Sequence, residues 1–206
     1  MPSKQKLGVR VPPGALNEEL VVLVDDNDNQ IGTCPKVLVH HANTPLHRAF
    51  SSYIFNQWGE VLVQRRAKSK KTWGGYWSNS CCGHPTVGEE RVDAAKRRIK
   101  EELGIGVYDL KQVAPYKYRF GLDGVVEHEI CPIFVAQTKD EVKPNPAEVE
   151  ECLWLSWPDF KAHIEANKDN YSPWCKEQVG VLEELGITLG TKWITDIAFR
   201  QKWLKI

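Results

Sequence analysis

The sequence predicts an α/β fold of the layered α/β/α type, and three observations predict it. Short runs of alternating or β-branched residues lie on both sides of one strongly periodic segment. That segment, EERVDAAKRRIKEEL over 89–103, repeats Val92, Ala95, Ile99 and Leu103 at helical spacing. After Pro158-Asp159 the pattern is helical to the end of the sequence. Strands before and after one long helix, with helices closing the end, make a layered domain. With 206 residues the chain can bury one sizeable core and is short for two. The expected organisation is a disordered tail over 1–17 and one domain over 18–206 whose C-terminal helices form a lid.

The elements follow in order. MPSKQKLGVRVPPG has no apolar run of a secretory signal; its basic residues leave an organelle-targeting reading beside that of a disordered tail. Glu19 to Val24 reads as a strand, DDNDNQ as a turn and QIGTCPK as a short returning strand. His40 and His47 lie seven apart in HHANTPLH, and Pro45 argues for a helix end or loop between them rather than a continuous helix. AFSSYIF (49–55) and EVLVQRR (60–66) form a hairpin across NQWG. The basic loop KSKKTWGGYW leads into SNSCCGHP, a polar turn, and Gly88-Glu89-Glu90 opens the long helix, which Gly104 ends. Tyr116 to Phe120 and Val125 to Val135 are strands around the turn GLDG. KPNPAEVE is a loop, CLWLSW (152–157) a strand, and Phe160 to Ala166, Pro173 to Leu185 and Trp193 to Trp203 are helices.

Composition narrows the function classes. Lys plus Arg equals Asp plus Glu at 27 each, so the chain offers no electrostatic case for a nucleic-acid or membrane partner. No run approaches the roughly 18 apolar residues of a membrane span. Six cysteines, at 34, 81, 82, 131, 152 and 175, have no CxxC spacing and too low a density for a disulfide scaffold. Free thiols in a reducing compartment, the cytoplasm, are expected. The local exception to charge balance is Arg65, Arg66, Lys68, Lys70 and Lys71, which reads either as an anion site or as a solvated basic loop.

Several residues are candidates for chemistry. Cys82 stands at a loop-to-helix junction, where a packing cysteine is less usual, and a thiol can exchange a proton if its surroundings tune it. Its neighbour Cys81 should point elsewhere, and Cys34, Cys131, Cys152 and Cys175 are expected to be inert. Glu127 and Glu129 are two apart on a strand and face one side, with His128 on the other. They are either the wet face of an edge strand or, with His40, His47 and His84, a nitrogen and oxygen site for Mn²⁺, Mg²⁺ or Zn²⁺. Arg98 and Glu102 are four apart and share one flank of the helix. A carboxylate near a helix C-terminus is disfavoured by the dipole unless a cation sits beside it.

Gly83, five residues, Glu89, seven residues, Arg97, then Ile99, Glu101, Glu102, Gly104 and Ile105 resembles the Nudix box. One position departs: the metal-binding Glu that follows the Arg in Nudix hydrolases is Arg98 here, which argues against pyrophosphate hydrolysis. That departure, with NSCCGHP in front, resembles the type 1 isopentenyl diphosphate isomerase family over roughly Glu19 to Trp174.

The resemblance implies a Nudix-type α/β/α sandwich with a mixed central β-sheet. It also implies a reversible proton shift between isopentenyl and dimethylallyl diphosphate in isoprenoid biosynthesis. Carried over by motif, Cys82, Glu129 and Tyr118 would be catalytic, and His40, His47, His84, Glu127 and Glu129 would hold a metal. His40 rather than His41 keeps the family's spacing to His47. Glu102 would help hold a Mg²⁺ with the substrate diphosphate, which Lys36, Arg66, Lys70 and Arg98 would bind, with Trp174 over the hydrocarbon. The implied partner is one small-molecule diphosphate, and a monomer is favoured. The rival readings are a Nudix pyrophosphohydrolase and a non-catalytic diphosphate-binding Nudix module.

Overall fold

A computed structural model describes residues 19–187. The expected tail over 1–17 and the expected helix over 193–203 lie outside the described residues.

Apolar alternation builds most of the sheet framework. β1 (Leu20–Val24) pairs with β2 (Gln30–Pro35), and α1 (Lys36–Val39) is one short turn ending at His40. β3 (His47–Arg48) runs almost directly into β4 (Phe50–Phe55), which turns at Asn56 into β5 (Val61–Arg66). The turn is set by Asn56, whose Oδ1 accepts from the backbone N–H of Trp58 and of Glu60 at 3.0 Å each. β6 (Trp77–Ser78) and β7 (Cys81–Gly83) follow, then α2 (Arg91–Leu103). β8 (Tyr108–Ala114), β9 (Lys117–Leu122), β10 (Val125–Ile130), β11 (Ile133–Gln137) and β12 (Val149–Leu155) complete the strands. α3 (Trp157–Ala166) and α4 (Pro173–Glu184) close the described chain.

The strands form two mixed sheets, ordered β2-β1-β3-β10-β9 and β12-β5-β4-β11-β8. β6 adds to β5, and β7 to β4. Each sheet contains one parallel pair, β3 with β10 and β4 with β11. The segment 125–135 is therefore two strands rather than the one expected. Pro132 has no N–H for the ladder, and the chain leaves the first sheet at Ile130 and joins the second at Ile133. Its neighbour makes the same passage at Ala49, tied by Ala49 N–H to Ile130 O at 2.9 Å and Ser51 N–H to Pro132 O at 3.1 Å. The candidate residues gather at this junction of the sheets.

Helices cover both faces of the larger sheet. Ala94, Ala95, Ile99 and Leu103 of α2 pack with Phe50, Ile54, Leu62 and Phe134 on one face. Phe160 of α3 and Trp174, Val179 and Leu182 of α4 pack with Tyr53, Val63 and Val135 on the other. Val92 is only partly buried at the rim of the first core. This is the α/β/α sandwich. α2 ends where expected: Gly104 has φ 71°, and its N–H returns to Lys100 O at 3.1 Å.

Three further elements differ from expectation. β8 has no counterpart among the expected strands; it is an edge strand whose outer residues are polar, so its alternation is weak. SNSCCGHP is not simply a turn, because Cys81–Gly83 pairs with β4. Trp157 begins α3 rather than ending a strand, since Ser156 caps the helix by accepting from Asp159 N–H at 3.2 Å.

Candidate active site

A cavity of about 280 Å³ opens beside the sheet junction. Of the thirteen residues the sequence singles out, all but His47 and Glu102 line it, and those two lie immediately behind its wall.

One end is built by the first sheet. His40 caps α1, His47 starts β3, His84 follows β7, and Glu127 and Glu129 share a face of β10. β10 lies between β3 and β9, which removes the edge-strand alternative for its two carboxylates. All five residues are buried, and one donor atom from each falls within 4.8 Å of the others. Glu129 Oε1 is 2.9 Å from His84 Nε2 and 3.4 Å from His47 Nε2, while Glu127 Oε2 is 3.0 Å from His40 Nε2. His47 and His84 Nε2 approach each other to 3.3 Å. His41 points elsewhere: it is exposed, and its Nδ1 accepts from Asn43 N–H at 3.1 Å.

The electrostatics fit a divalent cation. Burial pushes His84 down to about 4, so it presents a neutral lone pair. Burial would also lower His47, but the Glu129 carboxylate outweighs it and raises that group. Burial alone would raise Glu129; its hydrogen bonds and charge contacts with His47 and His84 take it well below the usual carboxylate range. His40 Nε2 and Glu127 Oε2 are buried and lack a hydrogen-bond partner of acceptable geometry. Three imidazole nitrogens and two carboxylates, with two lone pairs left unserved, match a Mn²⁺, Mg²⁺ or Zn²⁺ donor set.

Tyr118 of β9 stands opposite Glu129 in the antiparallel register and donates to Glu129 Oε2 at 2.6 Å. Its hydroxyl is held protonated, first by burial and then by the Glu129 charge.

The thiol wall comes from β7. Alternation on this strand sends Cys81 into the α2 core and Cys82 toward the cavity. Burial pushes the Cys82 thiol up to about 11, against the lowering effect of a Ser51 hydrogen bond and the Arg66 charge. Its Sγ donates to Asn79 Oδ1 at 3.1 Å and lies 3.4 Å from Ser51 Oγ. Asn79 cannot turn round, because its amide donates to Ser52 O and Cys81 O at 3.1 and 3.0 Å. Gln178 of α4 donates to Ser51 Oγ at 3.0 Å. All six cysteines are free thiols.

The remaining wall is aromatic and cationic. Trp174 stacks on Tyr118 with ring centroids 5.7 Å apart, and its Nε1 reaches Asn79 Oδ1 and Ser78 Oγ at 3.2 Å each. Arg66 lies over the Trp174 ring at 5.8 Å and donates to Thr72 O at 3.0 Å. Arg98 donates to Glu102 at 2.6 Å, Glu101 at 2.8 Å and Glu148 at 3.0 Å. Glu148 also pairs with Lys70, and Glu19 holds Lys36 at 2.8 Å. Glu102 takes its second contact from Gln64 Nε2 at 3.3 Å. The Nudix-box pair is elsewhere on α2: Arg97 grips Glu89 at 2.8 and 2.9 Å and donates to His84 O at 3.3 Å, tying the histidine loop to the helix.

Sequence reasoning missed Ser51, Asn79, Gln178 and Glu148. Asn79 lies in SNSCC, and its proximity to Cys82 is a usable signal. Gln178 meets Ser51 across 127 residues, and no local pattern reveals that.

Residues 45–175 match the NUDIX domain. The isopentenyl-diphosphate Delta-isomerase of Saccharopolyspora erythraea is 49% identical over 170 residues, covering 82% of this chain and 88% of that protein. The protein of the same name from Mycolicibacterium vanbaalenii is 48% identical over 171 residues, covering 82% and 94%. Among solved structures, DR0079 from Deinococcus radiodurans shares the fold, with a TM-score of 0.61 at 17% identity over 81% of this chain and 98% of that one. With the domain match and relatives of this closeness, the chain belongs to the NUDIX family and, within it, to the isopentenyl-diphosphate Delta-isomerases.

Proposed function

We propose that this chain is an isopentenyl-diphosphate Delta-isomerase of isoprenoid biosynthesis, interconverting isopentenyl and dimethylallyl diphosphate by a 1,3 proton shift. The observation that carries the reading is one cavity faced by a thiol, Cys82, and by a carboxylate, Glu129, that accepts a hydrogen bond from Tyr118. A proton is added to the terminal carbon of the double bond, leaving a tertiary cation, and another is removed from C2 on the opposite face. Cys82 and Glu129 are the two proton-handling groups, and Tyr118 passes the proton at the Glu129 end.

Trp174 presents its ring to the developing cation. Cation–π attraction in a dry site is worth about 2 kcal/mol. The aromatic wall also keeps out water, which would capture the cation, and α4 is the described part of the lid.

His40, His47, His84, Glu127 and Glu129 would hold a divalent metal, Mn²⁺, Mg²⁺ or Zn²⁺. Such an ion supplies fixed positive charge that favours the ionised carboxylate beside it. Lys36, Arg66, Lys70 and Arg98 would bind the diphosphate, and Glu102, behind the wall and paired with Arg98, would help hold a Mg²⁺ beside it. Guanidinium suits phosphate oxygens as a fork and Lys as a point charge. The hydrolase alternative is disfavoured by Arg98, a cation engaged by three carboxylates where a metal-binding acid is needed. The same reading takes residues 18–206 as one domain, monomeric and cytoplasmic, with a small-molecule diphosphate as its partner and neither nucleic acid nor membrane.

The test is turnover of isopentenyl diphosphate with Mg²⁺ in D₂O by wild type and Cys82→Ala. Dimethylallyl diphosphate carrying solvent deuterium is expected from wild type, with a loss of roughly 10²–10⁴-fold in the variant. Intact isopentenyl diphosphate beside hydrolysis of nucleotide diphosphates sinks the reading, and no turnover of either leaves the binding module.

A further inference from the structure

Trp73 lies on the loop between β5 and β6, in KSKKTWGGYW, and its backbone has φ 45°. Left-handed backbone is unusual for a bulky residue and persists only where the surroundings hold it. They hold it here from both sides. Arg66 N–H donates to Tyr76 O at 2.9 Å, Gly75 N–H to Arg66 O at 2.9 Å, and Tyr76 N–H to Trp73 O at 3.3 Å. A Cβ at Gly74 would meet Lys68 O at 2.7 Å and Lys70 O at 2.8 Å, so the loop closes too tightly for any other residue there.

The ring that this backbone presents is buried, and it meets the ring of Trp174. The two stand edge to face, with centroids 5.1 Å apart and planes at 78°. Other contacts hold the Trp174 indole as well: Tyr118 stacks on it, and its Nε1 donates to Asn79 Oδ1 and Ser78 Oγ. Trp73 does not itself line the cavity, so it acts there through Trp174.

We propose that Trp73 is a positioning residue for the reaction: its ring, held by a left-handed backbone on the loop that closes around Arg66, braces Trp174 edge-on and fixes the indole face turned to the substrate's hydrocarbon. The inference rests on the isomerase reading above. The loop thereby joins the two ends of the substrate. Thr72 O accepts from Arg66 of the diphosphate clamp, and the next residue sets the aromatic wall.

The experiment uses the full chain with Trp73→Leu and Trp73→Phe. It measures kcat and KM for isopentenyl diphosphate, and Kd for two probes, inorganic pyrophosphate and a tertiary-ammonium diphosphate whose nitrogen stands where the cationic carbon forms. The Leu variant is expected to lose about tenfold in kcat and about tenfold in affinity for the ammonium probe, the size of a weakened cation–π contact. Its KM and its affinity for pyrophosphate stay within about twofold, because no clamp side chain is substituted and Thr72 O still accepts from Arg66. The Phe variant keeps an aromatic edge and loses about threefold.

A Leu variant with lower thermal stability but unchanged kcat and ammonium affinity overturns the proposal, as does equal weakening of both probes. Should the Leu variant not fold, the Phe variant decides on the same readouts, and unchanged values overturn the proposal. Wild type that fails to isomerise sinks the functional reading alone, since selective loss of the ammonium probe still reports the brace.

Discussion

The two ends of the cavity are both dense in charge, yet they are composed differently, with carboxylate–cation pairs at one and converging imidazoles and carboxylates at the other. At the clamp end the cations already have partners: Arg98 is shared by Glu101, Glu102 and Glu148, Lys70 is paired with Glu148, and Lys36 with Glu19. At the histidine end, five donors converge and two of them, His40 Nε2 and Glu127 Oε2, remain without a hydrogen bond. Buried polar atoms left unserved are costly, and five buried donors converging on one point are compatible with a divalent cation. The clamp end pairs its cations with carboxylates, which the proposed reading exchanges for phosphate oxygens. On the proposed reading, one end is completed by a metal and the other by substrate.

The sharpest way to break this comparison is to remove the carboxylate proposed to serve the chemistry. Glu129→Gln is expected to lower kcat by roughly 10³–10⁴-fold, the upper range for a proton-transfer group, read by isomerisation kinetics. Retention of more than a tenth of the wild-type rate contradicts its assigned role.

Next comes the clamp. Arg98→Met leaves Glu102 buried with only Gln64 beside it and is expected to cost about 3 kcal/mol of stability, the scale of breaking a buried pair from one side. Adding Glu102→Met should recover most of that loss without restoring affinity for isopentenyl diphosphate. Denaturant midpoints and KM measured together separate the two effects. If the double variant is no more stable than the single one, the Arg98–Glu102 pair is not a self-contained unit of the clamp.

The histidine end is sharpened by metal addition. Stripped protein titrated with Mn²⁺ to about 100 times its Kd should gain about 2.7 kcal/mol of stability. His47→Ala should abolish the gain in thermal unfolding, whereas Lys70→Met should preserve it.

How much of this was legible depended on the range of the interactions. The α2 pattern, the paired carboxylates of β10 and the Arg98–Glu102 spacing are local, set by helical and strand periods, and each appears where expected. The passage of residues 125–135 between sheets was hidden because Val, Ile, Cys and Phe on either side of Pro132 continue one apolar run. The thiol's surroundings were hidden for a different reason. Ser51, Asn79 and Gln178 are ordinary polar residues, and only β4 pairing with β7 beneath α4 brings them to Cys82. Glu148 likewise sits in a loop that gives no sign of its two cationic partners.

The smallest effect concerns the box pair that stands outside both ends. Glu89 is held down to about 2, first by its hydrogen bond from Arg97, with Thr86 and the Arg97 charge adding to it against partial burial. A carboxylate depressed on folding stabilises the protein fully above its unfolded value near 4.5 and loses that contribution as pH falls through about 2. Because the pair is partly exposed and screened by solvent, the contribution is on the order of 1 kcal/mol rather than the full value of the shift. Glu89→Gln should therefore lower stability at neutral pH by about that amount and flatten the acid limb of the stability curve between pH 4.5 and about 2. Urea midpoints across that window measure it. An acid limb as steep in the variant as in wild type assigns the slope to Glu148, which Lys70 and Arg98 hold down to about 2 against its burial, and so returns the pH dependence to the clamp.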